Sequence, residues 1–564
     1  MTTNTLVNSF DTQEPLLPPH LAHMVTSVSL ATRISLRCSS LLVGTLFEAA
    51  KYGTSMSLGI SRNAISNAIS TAKSLHREPE ENMFMKSLEK YTNAGLDLVS
   101  HTFSLAELLT LSGLQFTSRT IQSGLKAAEE SVRVIDGIFG STETSCAIAY
   151  IITRISKELL HDPDFDLAKA GKMAILTGLT KALTAFALLQ NVTHSRRTIP
   201  CTLLWESMNE PSERLSPIAH YIKYASAAYG ENFMRILGIG DIPAQLPTSH
   251  PPNHHAFAHH TQNSIDDILL SSYTDPSPFL QNSLKTLVHY VTVDHSSRAI
   301  VLTCRGTLGL SDLLTDLSFD YTEFRTWGST FSAHSGMLKA AQRLAREKGP
   351  VFSSIRQGLQ TYPDYGLVLC GHSLGGGVAS LLCVLWSQGE MTSVESGLPA
   401  NRPIHCYAYG PPGVMCLELS QRCRGLITSV VHGYDIVSSL SLGLLQDFKN
   451  LARSLHAEHN VAEEIMARVI QRRMEGVEDD PWLWAMIKTM RADMTAEKMY
   501  PAGIVYWIEQ GVEKIKVSQC DDVQARFSEV LFSKSMFMDH SPYLYEKAIE
   551  GLSIKKVPIN MQFT

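Results

Sequence analysis

Apolar residues recur at helical spacing through most of the first third of the chain. The spacing is clear in 29–53, 96–116 and 165–190, where an apolar position returns every third or fourth residue. Such a stripe lets a helix bury one face against neighbouring helices or against a lipid surface. We therefore predict a helical module over residues 21–195, either a bundle or a set of membrane-associating helices, after a flexible tail at 1–20.

The longest uncharged runs are poor candidates for a membrane span. A spanning helix needs about 20 mostly apolar residues. The run at 365–389 contains several glycines and a His-Ser pair, which divide it into strand, turn and helix. The run at 174–192 contains Lys181 and three threonines, so an interfacial helix is the better interpretation of that segment.

From about residue 281 the pattern changes to short apolar runs that alternate with helical segments. Residues 287–294 and 298–307 alternate as a strand pair around a short turn, and 365–370 is a continuous apolar run typical of a buried strand. Further strands are predicted at 403–413 and 425–435, and helices at 334–349, at 375–386 and from about 541. Strands that alternate with helices form a mainly parallel sheet with both faces covered, which predicts an α/β domain over 281–564.

The remaining segments are predicted to connect or cover these two parts. Residues 196–280 are assigned to a linker and to cover helices. The linker composition extends over 193–215, and 219–238 is the first cover helix. Residues 243–263 are rich in proline and histidine, and their histidines are His250, His254, His255, His259 and His260. Because no acidic or cysteine ligand stands among them, a solvated loop is favoured over a metal site. Residues 446–515 are predicted to be a helical insert.

Composition narrows the function classes. The 564 residues are 44% hydrophobic and 18% charged, which excludes wholesale disorder, and the net charge of −6 argues against a nucleic-acid partner. The ten cysteines form no CxxC pair, so no metal site is predicted and their thiols are expected to be reduced. The polar N-terminus lacks the pattern of a secretory signal, so we expect an intracellular protein at a membrane periphery.

The segment Gly371-His372-Ser373-Leu374-Gly375 fits G-x-S-x-G between a buried strand and a helix of small residues. In that context the glycines allow a sharp strand-to-helix turn that exposes a serine hydroxyl. A serine hydroxyl needs an adjacent base to act as a nucleophile. The motif therefore predicts Ser373 as the nucleophile of an α/β-hydrolase fold.

The acid and the base are expected after the serine in the order Ser, Asp, His. Asp435 directly follows a strand end, where a loop can direct its carboxylate toward the serine. Beyond it, His456 and His459 lie in a charged helix, whereas His540 lies in a loop before the final helix. We therefore assign His540 as general base and Asp435 as the acid that orients it.

Acyl transfer also needs donors for the negative charge that develops on the carbonyl oxygen. One is predicted to be the backbone N–H of Leu374, the residue after the nucleophile. The other is expected from the loop after an earlier strand, and the N–H of Thr307 is the candidate there.

Several stretches in family order carry a resemblance to known lipases. They are DHSSRAIVLTCRGT, LSDLLTDL, HSGM, GHSLGGG, CYAYGPPG, ITSVVHGYDIVSSLS, MYPAGIVYWI and MDHSPYLYEKAI, across 219–551. The chain resembles the class 3 lipase family and, within it, the sn-1-specific diacylglycerol lipases. The resemblance implies an α/β-hydrolase fold, a Ser373–Asp435–His540 triad with Thr307 and Leu374 as oxyanion hole, and no cofactor.

The resemblance also implies hydrolysis of a glycerolipid ester, with diacylglycerol favoured, at a membrane or lipid-droplet surface. Phospholipase A1 and triacylglycerol lipase activities stay open, and so does a catalytically silent membrane scaffold of the same fold. A hydrolase of soluble esters is less consistent with the low charge and the long apolar helices. The insert contains Trp482, Trp484 and Trp507, which serve either the core or a lid that docks on lipid.

Overall fold

Two compact units make up the computed structural model of the chain. One comprises 1–195, 310–315 and 447–495, and the other comprises 196–309, 316–446 and 496–564. The residues described are 22, 23, 26, 172–193, 199–206, 215–272, 287–306, 320–457, 461–475, 480–510, 515–533 and 535–552. The predicted tail and most of the predicted N-terminal module lie outside these residues. Within them, no helix combines the length and the apolar character that a membrane crossing requires.

The regular elements are numbered here in chain order. The strands are β1 Cys201–Glu206, β2 Ile268–Ser271, β3 His289–Asp294, β4 Ala299–Cys304, β5 Tyr321–Thr326, β6 Ser329–His334, β7 Gly366–His372, β8 Ser387–Gln388, β9 Met391–Thr392, β10 Ile404–Tyr409, β11 Ile427–His432, β12 Ile504–Gln510 and β13 Ile515–Cys520. The helices are α1 Lys172–Thr193, α2 Ser216–Ala227, α3 Glu231–Leu237, α4 Pro252–Thr261, α5 Ser335–Leu344, α6 Pro350–Thr361, α7 Leu374–Trp386, α8 Leu417–Arg422, α9 Leu442–Ala457, α10 Val461–Glu475, α11 Pro481–Ala492, α12 Val523–Phe527 and α13 Pro542–Glu550.

A mixed sheet forms the centre of the larger unit. Its strand order is β1-β13-β12-β11-β10-β7-β4-β3-β2. Strands β4, β7, β10, β11 and β12 run parallel, and the strands at either edge pair antiparallel. Every residue of β3, β4, β7 and β11 is buried, as the continuous apolar runs predicted. The predicted α/β-hydrolase fold with a mainly parallel sheet is confirmed, and the carboxyl ends of its parallel strands meet at one edge.

The turn between β3 and β4 is anchored by a buried carboxylate. Oδ1 of Asp294 accepts from the backbone N–H of Ser296 at 3.0 Å, and Oδ2 accepts from the Ser297 hydroxyl at 2.6 Å. Oδ2 also lies 2.5 Å from Nε2 of His220 in α2. Burial opposes ionisation of Asp294, but the bonds from His220 and the serines hold its pKa well below the usual range. The turn is thereby fixed against the helix that covers the sheet.

The proline- and histidine-rich segment is not the solvated loop that its composition predicted. Pro252–Thr261 is a helix, and His254, His255 and His260 are buried in it. Nε2 of His254 lies 2.6 Å from the Ser271 hydroxyl, and Nε2 of His260 lies 2.8 Å from a Glu546 carboxylate oxygen in α13. These partners, distant in sequence, supply the polar contacts that burial of a histidine requires. Among the described residues no cluster of side chains has the make-up of a metal site.

Two further segments differ from their sequence-based assignment. Cys201–Glu206, expected to be linker, is an edge strand that pairs with β13. The predicted insert is helical in α9, α10 and α11, but 504–510 is a strand that pairs parallel with β11. The alternation of burial along that strand places Trp507 in the sheet, 9% exposed. In the smaller unit, α10 and α11 pack against α1, and the Arg468 guanidinium lies over the Trp482 ring at 4.5 Å.

Candidate active site

A strained turn holds Ser373 between strand β7 and helix α7. Its φ of 60° and ψ of −131° are unusual for a residue with a side chain, and its N–H is fixed by the Tyr409 carbonyl at 2.8 Å. A Cβ on Gly371 would lie 2.5 Å from the Cys304 carbonyl oxygen, and one on Gly375 would clash with the same oxygen. Both positions therefore require glycine, because β4 passes directly beneath the turn.

Ser373, His540 and Asp435 come together at the carboxyl edge of the sheet. Nε2 of His540 lies 2.8 Å from the Ser373 hydroxyl oxygen. Nδ1 of His540 lies 2.9 Å from Oδ2 of Asp435 and 3.1 Å from Oδ1. Ser373 and Asp435 are buried, while the His540 side chain keeps 17% of its exposure. This relay can move a proton from the hydroxyl to the imidazole and stabilise the resulting cation.

The carboxylate of Asp435 has partners that sequence analysis did not identify. The Tyr545 hydroxyl donates to Oδ2 at 2.6 Å, and the backbone N–H of Val437 donates to Oδ1 at 2.9 Å. The same Tyr545 oxygen accepts from the N–H of His432 at 3.0 Å. Burial, with the charge of Asp435, raises the pKa of Tyr545 well above 10, so the phenol remains a donor. The one sequence signal for this contact is that Tyr545 lies in helix α13, five residues after His540.

A second carboxylate joins the two loops that carry the acid and the base. Oδ2 of Asp539 accepts from the backbone N–H of Tyr434 at 2.8 Å and from the Ser535 hydroxyl at 2.8 Å. The carbonyl oxygen of Asp539 lies 3.2 Å from Nδ1 of His432. The residue before His540 is therefore fastened to the residue before Asp435, which limits relative movement of the two catalytic candidates.

His372, predicted as part of the serine turn, is buried beside the relay. Its Nδ1 lies 2.8 Å from the Tyr229 hydroxyl, and its ring centroid is 4.7 Å from that of His540. Burial, assisted by the charge of a protonated His540, lowers the pKa of His372 well below 6.5. A neutral His372 adds no positive charge next to the imidazole that must accept a proton.

The predicted oxyanion donors are only partly described. Leu374 begins helix α7, and the first N–H groups of a helix have no partner within it. Its N–H therefore makes no hydrogen bond within the helix. It is available to donate to the oxyanion that forms when Ser373 attacks an ester carbonyl. Thr307 lies outside the described residues. Its neighbour Gly306 lies against the turn, where an added Cβ would be 2.8 Å from the Cβ of Ser373.

Comparisons with known proteins show similarity to lipases. Residues 301–444 match the sequence profile of the family described as Lipase (class 3). Human diacylglycerol lipase-alpha is 28% identical over 295 residues, which are 47% of this chain and 27% of that protein. Mouse diacylglycerol lipase-beta is 28% identical over 286 residues, which are 46% of this chain and 39% of that protein. This chain thus matches well under half the length of these curated relatives.

The comparison of folds gives a weaker likeness. The Rhizomucor miehei triacylglyceride lipase structure has 16% identity and a TM-score of 0.36, over 61% of this chain and 96% of that one. That score adds no weight to the assignment, which rests on the profile match, the curated relatives and the strand order. On those grounds the chain is similar to class 3 lipases over residues 301–444, with diacylglycerol lipases among its relatives.

Proposed function

We propose that the chain is a serine lipase that hydrolyses acyl ester bonds of glycerolipids, with diacylglycerol as the favoured substrate. The observation that carries the proposal is the unbroken relay from the Ser373 hydroxyl through His540 to Asp435, at 2.8 Å and 2.9 Å. The diacylglycerol lipases among its relatives are the reason to favour that substrate.

In the proposed reaction, the Ser373 oxygen attacks the ester carbonyl as His540 takes its proton. The Leu374 N–H stabilises the oxyanion, and His540 returns the proton to the departing alcohol oxygen, which leaves an acyl-enzyme. His540 then takes a proton from water, whose oxygen attacks the acyl carbonyl. Collapse of that intermediate releases the fatty acid and restores the Ser373 hydroxyl. Asp435 keeps the imidazole oriented through both halves.

The site also fits a substrate held in a lipid layer. Phe537 and Met538, three and two residues before His540, are 53% and 63% exposed. Large exposed apolar side chains beside a catalytic group favour contact with a membrane or lipid-droplet surface. We therefore propose that the protein acts from the periphery of such a surface.

Fatty-acid release from vesicles that contain diacylglycerol, triacylglycerol or phosphatidylcholine tests the proposal. Ser373→Ala is expected to lower the rate by several orders of magnitude, because the nucleophile is lost. Ser380→Ala is the matched control, since that buried hydroxyl donates to the Gly376 carbonyl at 2.8 Å and lies 3.9 Å from the Cys406 sulfur, and neither partner is part of the relay.

The substrate ranking separates a diacylglycerol lipase from a phospholipase A1 or a triacylglycerol lipase. Absence of release from every vesicle by the folded wild-type protein would contradict the proposal. The alternative of a catalytically silent scaffold would then be favoured.

A further inference from the structure

Two cysteines face each other across the outermost strand pair of the sheet. Cys201 in β1 is directly opposite Cys520 in β13. The backbone N–H of Asp521 donates to the Pro200 carbonyl at 3.1 Å, so the two cysteines form a non-hydrogen-bonded antiparallel pair. The Cα atoms of such a pair are about 4.5 Å apart, which lies within the range that a disulfide spans.

The two thiols differ in exposure and in acidity. Cys201 is half-buried, whereas Cys520 is buried. The interaction with the Cys520 thiol lowers the pKa of Cys201, and the charge of Arg526 acts in the same direction, whereas partial burial and the charge of Asp521 oppose them. The interaction with Cys201 and burial raise the pKa of Cys520, whose thiol donates to the Asp522 carbonyl at 3.4 Å. Cys201 is thus the more readily ionised thiol, and Cys520 stands beside it as a neutral one.

Arg526 supplies a buried positive charge at this place. It is 1% exposed, and its guanidinium lies 4.8 Å from the centroid of the Trp507 ring. Its Nη2 donates to the Gly433 carbonyl at 3.4 Å, and its Nε has no partner among the described residues. A desolvated guanidinium without a paired carboxylate favours a thiolate nearby.

The other cysteines of the described residues lack this combination. No strand pair sets any of them opposite another cysteine. Burial raises the pKa of five of them well above the ordinary value: Cys304, Cys370, Cys383, Cys406 and Cys423. Cys416 is half-buried like Cys201 and provides a natural comparison.

We propose that Cys201 and Cys520 form an oxidisable dithiol that reacts with a peroxide to give a disulfide between β1 and β13. The Cys201 thiolate attacks one peroxide oxygen, the O–O bond breaks, and hydroxide leaves as a sulfenic acid forms. The Cys520 sulfur then attacks the sulfenic sulfur, the S–O bond breaks and water leaves. The pair loses two electrons and two protons in total, and hydrogen peroxide is reduced to two waters.

Mass spectrometry of the full-length protein tests this site. The reduced protein is exposed to hydrogen peroxide in slight excess, the remaining thiols are alkylated, and the digest is analysed without reduction. A peptide that links Cys201 to Cys520 is expected, two hydrogens lighter than its reduced parts, with Cys416 still alkylated. Dithiothreitol should abolish the linked peptide.

Two variants complete the test. Cys201→Ser should remove the linked peptide and leave Cys520 alkylated, while Cys416→Ser should form the link to the same extent as wild type. Circular dichroism establishes that each variant is folded. Full alkylation of Cys201 and Cys520 after peroxide treatment, or a link from either to a different cysteine, would overturn the proposal.

Discussion

At the scale of single residues, Tyr545 couples three parts of the candidate site. Its hydroxyl joins the Asp435 carboxylate to the backbone of His432, and it lies in the helix that follows the loop of His540. Tyr545→Phe removes one donor to the carboxylate while the ring stays in place. A hydrogen bond to a charged group contributes about 1.5–3 kcal/mol, so we expect kcat to fall by about tenfold or more with KM nearly unchanged.

Steady-state kinetics of Tyr545→Phe check this expectation. Tyr543→Phe is the matched control, because Tyr543 lies two residues earlier in α13 and its ring contacts the Lys547 ammonium at 5.6 Å rather than the site. Because the pKa of Tyr545 is raised well above 10, wild type should show no loss from phenol ionisation up to about pH 10. Equal rates for Tyr545→Phe and wild type would rule out a positioning role.

Residues next to strand ends were predictable, whereas their supporting contacts were not. Ser373, Asp435 and His540 follow recognisable local patterns, and the structure brings these three residues together. Tyr229 lies 143 residues from its partner His372, and no local periodicity indicates a contact of that range. The oxyanion role of Thr307 stays a prediction, since that residue is outside the described part of the chain.

At the scale of elements, the β3–β4 turn depends on the ionised form of Asp294. Asp294→Asn removes a buried carboxylate that bonds to His220 and to two serines, which we expect to lower the free energy of unfolding by about 3 kcal/mol at pH 7. The folded-state pKa lies below that of an unfolded aspartate, about 3.9, so the carboxylate stabilises the fold above that pH. This contribution is lost as the pH falls toward the folded-state pKa.

Urea unfolding at about pH 7, 5 and 3 measures the effect. The difference in the free energy of unfolding between wild type and Asp294→Asn should be the same at about pH 7 and pH 5. It should be smaller at about pH 3, because protonation of Asp294 then weakens its bonds in the wild-type protein. Ser296→Ala removes one hydroxyl donor but leaves the contact between Asp294 and His220, so it should cost about 1 kcal/mol. A difference that grows as the pH falls would contradict the assigned direction.

Elements with short-range patterns were predicted better than those that depend on distant partners. Strands β3, β4 and β7 are continuous apolar runs, and they lie where the sequence predicted them. Helix α4 was missed because proline and histidine favour loops, while the burial of its histidines depends on Ser271 and Glu546. Strand β1 was missed because it pairs with residues more than 300 positions later.

At the scale of the whole molecule, one edge of the sheet is proposed to meet lipid. Replacing Phe537 and Met538 together by serine removes two exposed apolar side chains beside His540. Burial of such a side chain contributes about 1.5–3 kcal/mol, so we expect vesicle binding to weaken by at least tenfold. Hydrolysis of a soluble short-chain ester should be nearly unchanged, because the relay itself is intact.

Sedimentation with vesicles measures binding. Hydrolysis rates are measured on vesicle lipid and on the soluble short-chain ester with the same protein samples. Val394→Ser is the matched control, since Val394 is 77% exposed but follows Ser393, which bonds to Trp386 at the far end of α7. That helix separates it from Ser373 by 13 residues, or about 20 Å. If the double variant hydrolyses neither vesicle lipid nor the soluble ester, the substitutions have damaged the active site. If its vesicle binding is unchanged, this edge of the sheet is not the surface that contacts lipid.

The late pairing of strand β1 has a consequence for synthesis of the protein. The contact between Thr202 and Asp521 joins residues 319 positions apart, so β1 leaves the ribosome long before β13 exists. At about 5–20 residues per second, the wait is roughly 15–60 s. During that time β1 has neither its partner strand nor the complete sheet, and His540 has not been made. The nascent chain therefore carries an unpaired strand edge, and the proposed catalytic relay forms only after nearly all of the described sequence has been translated.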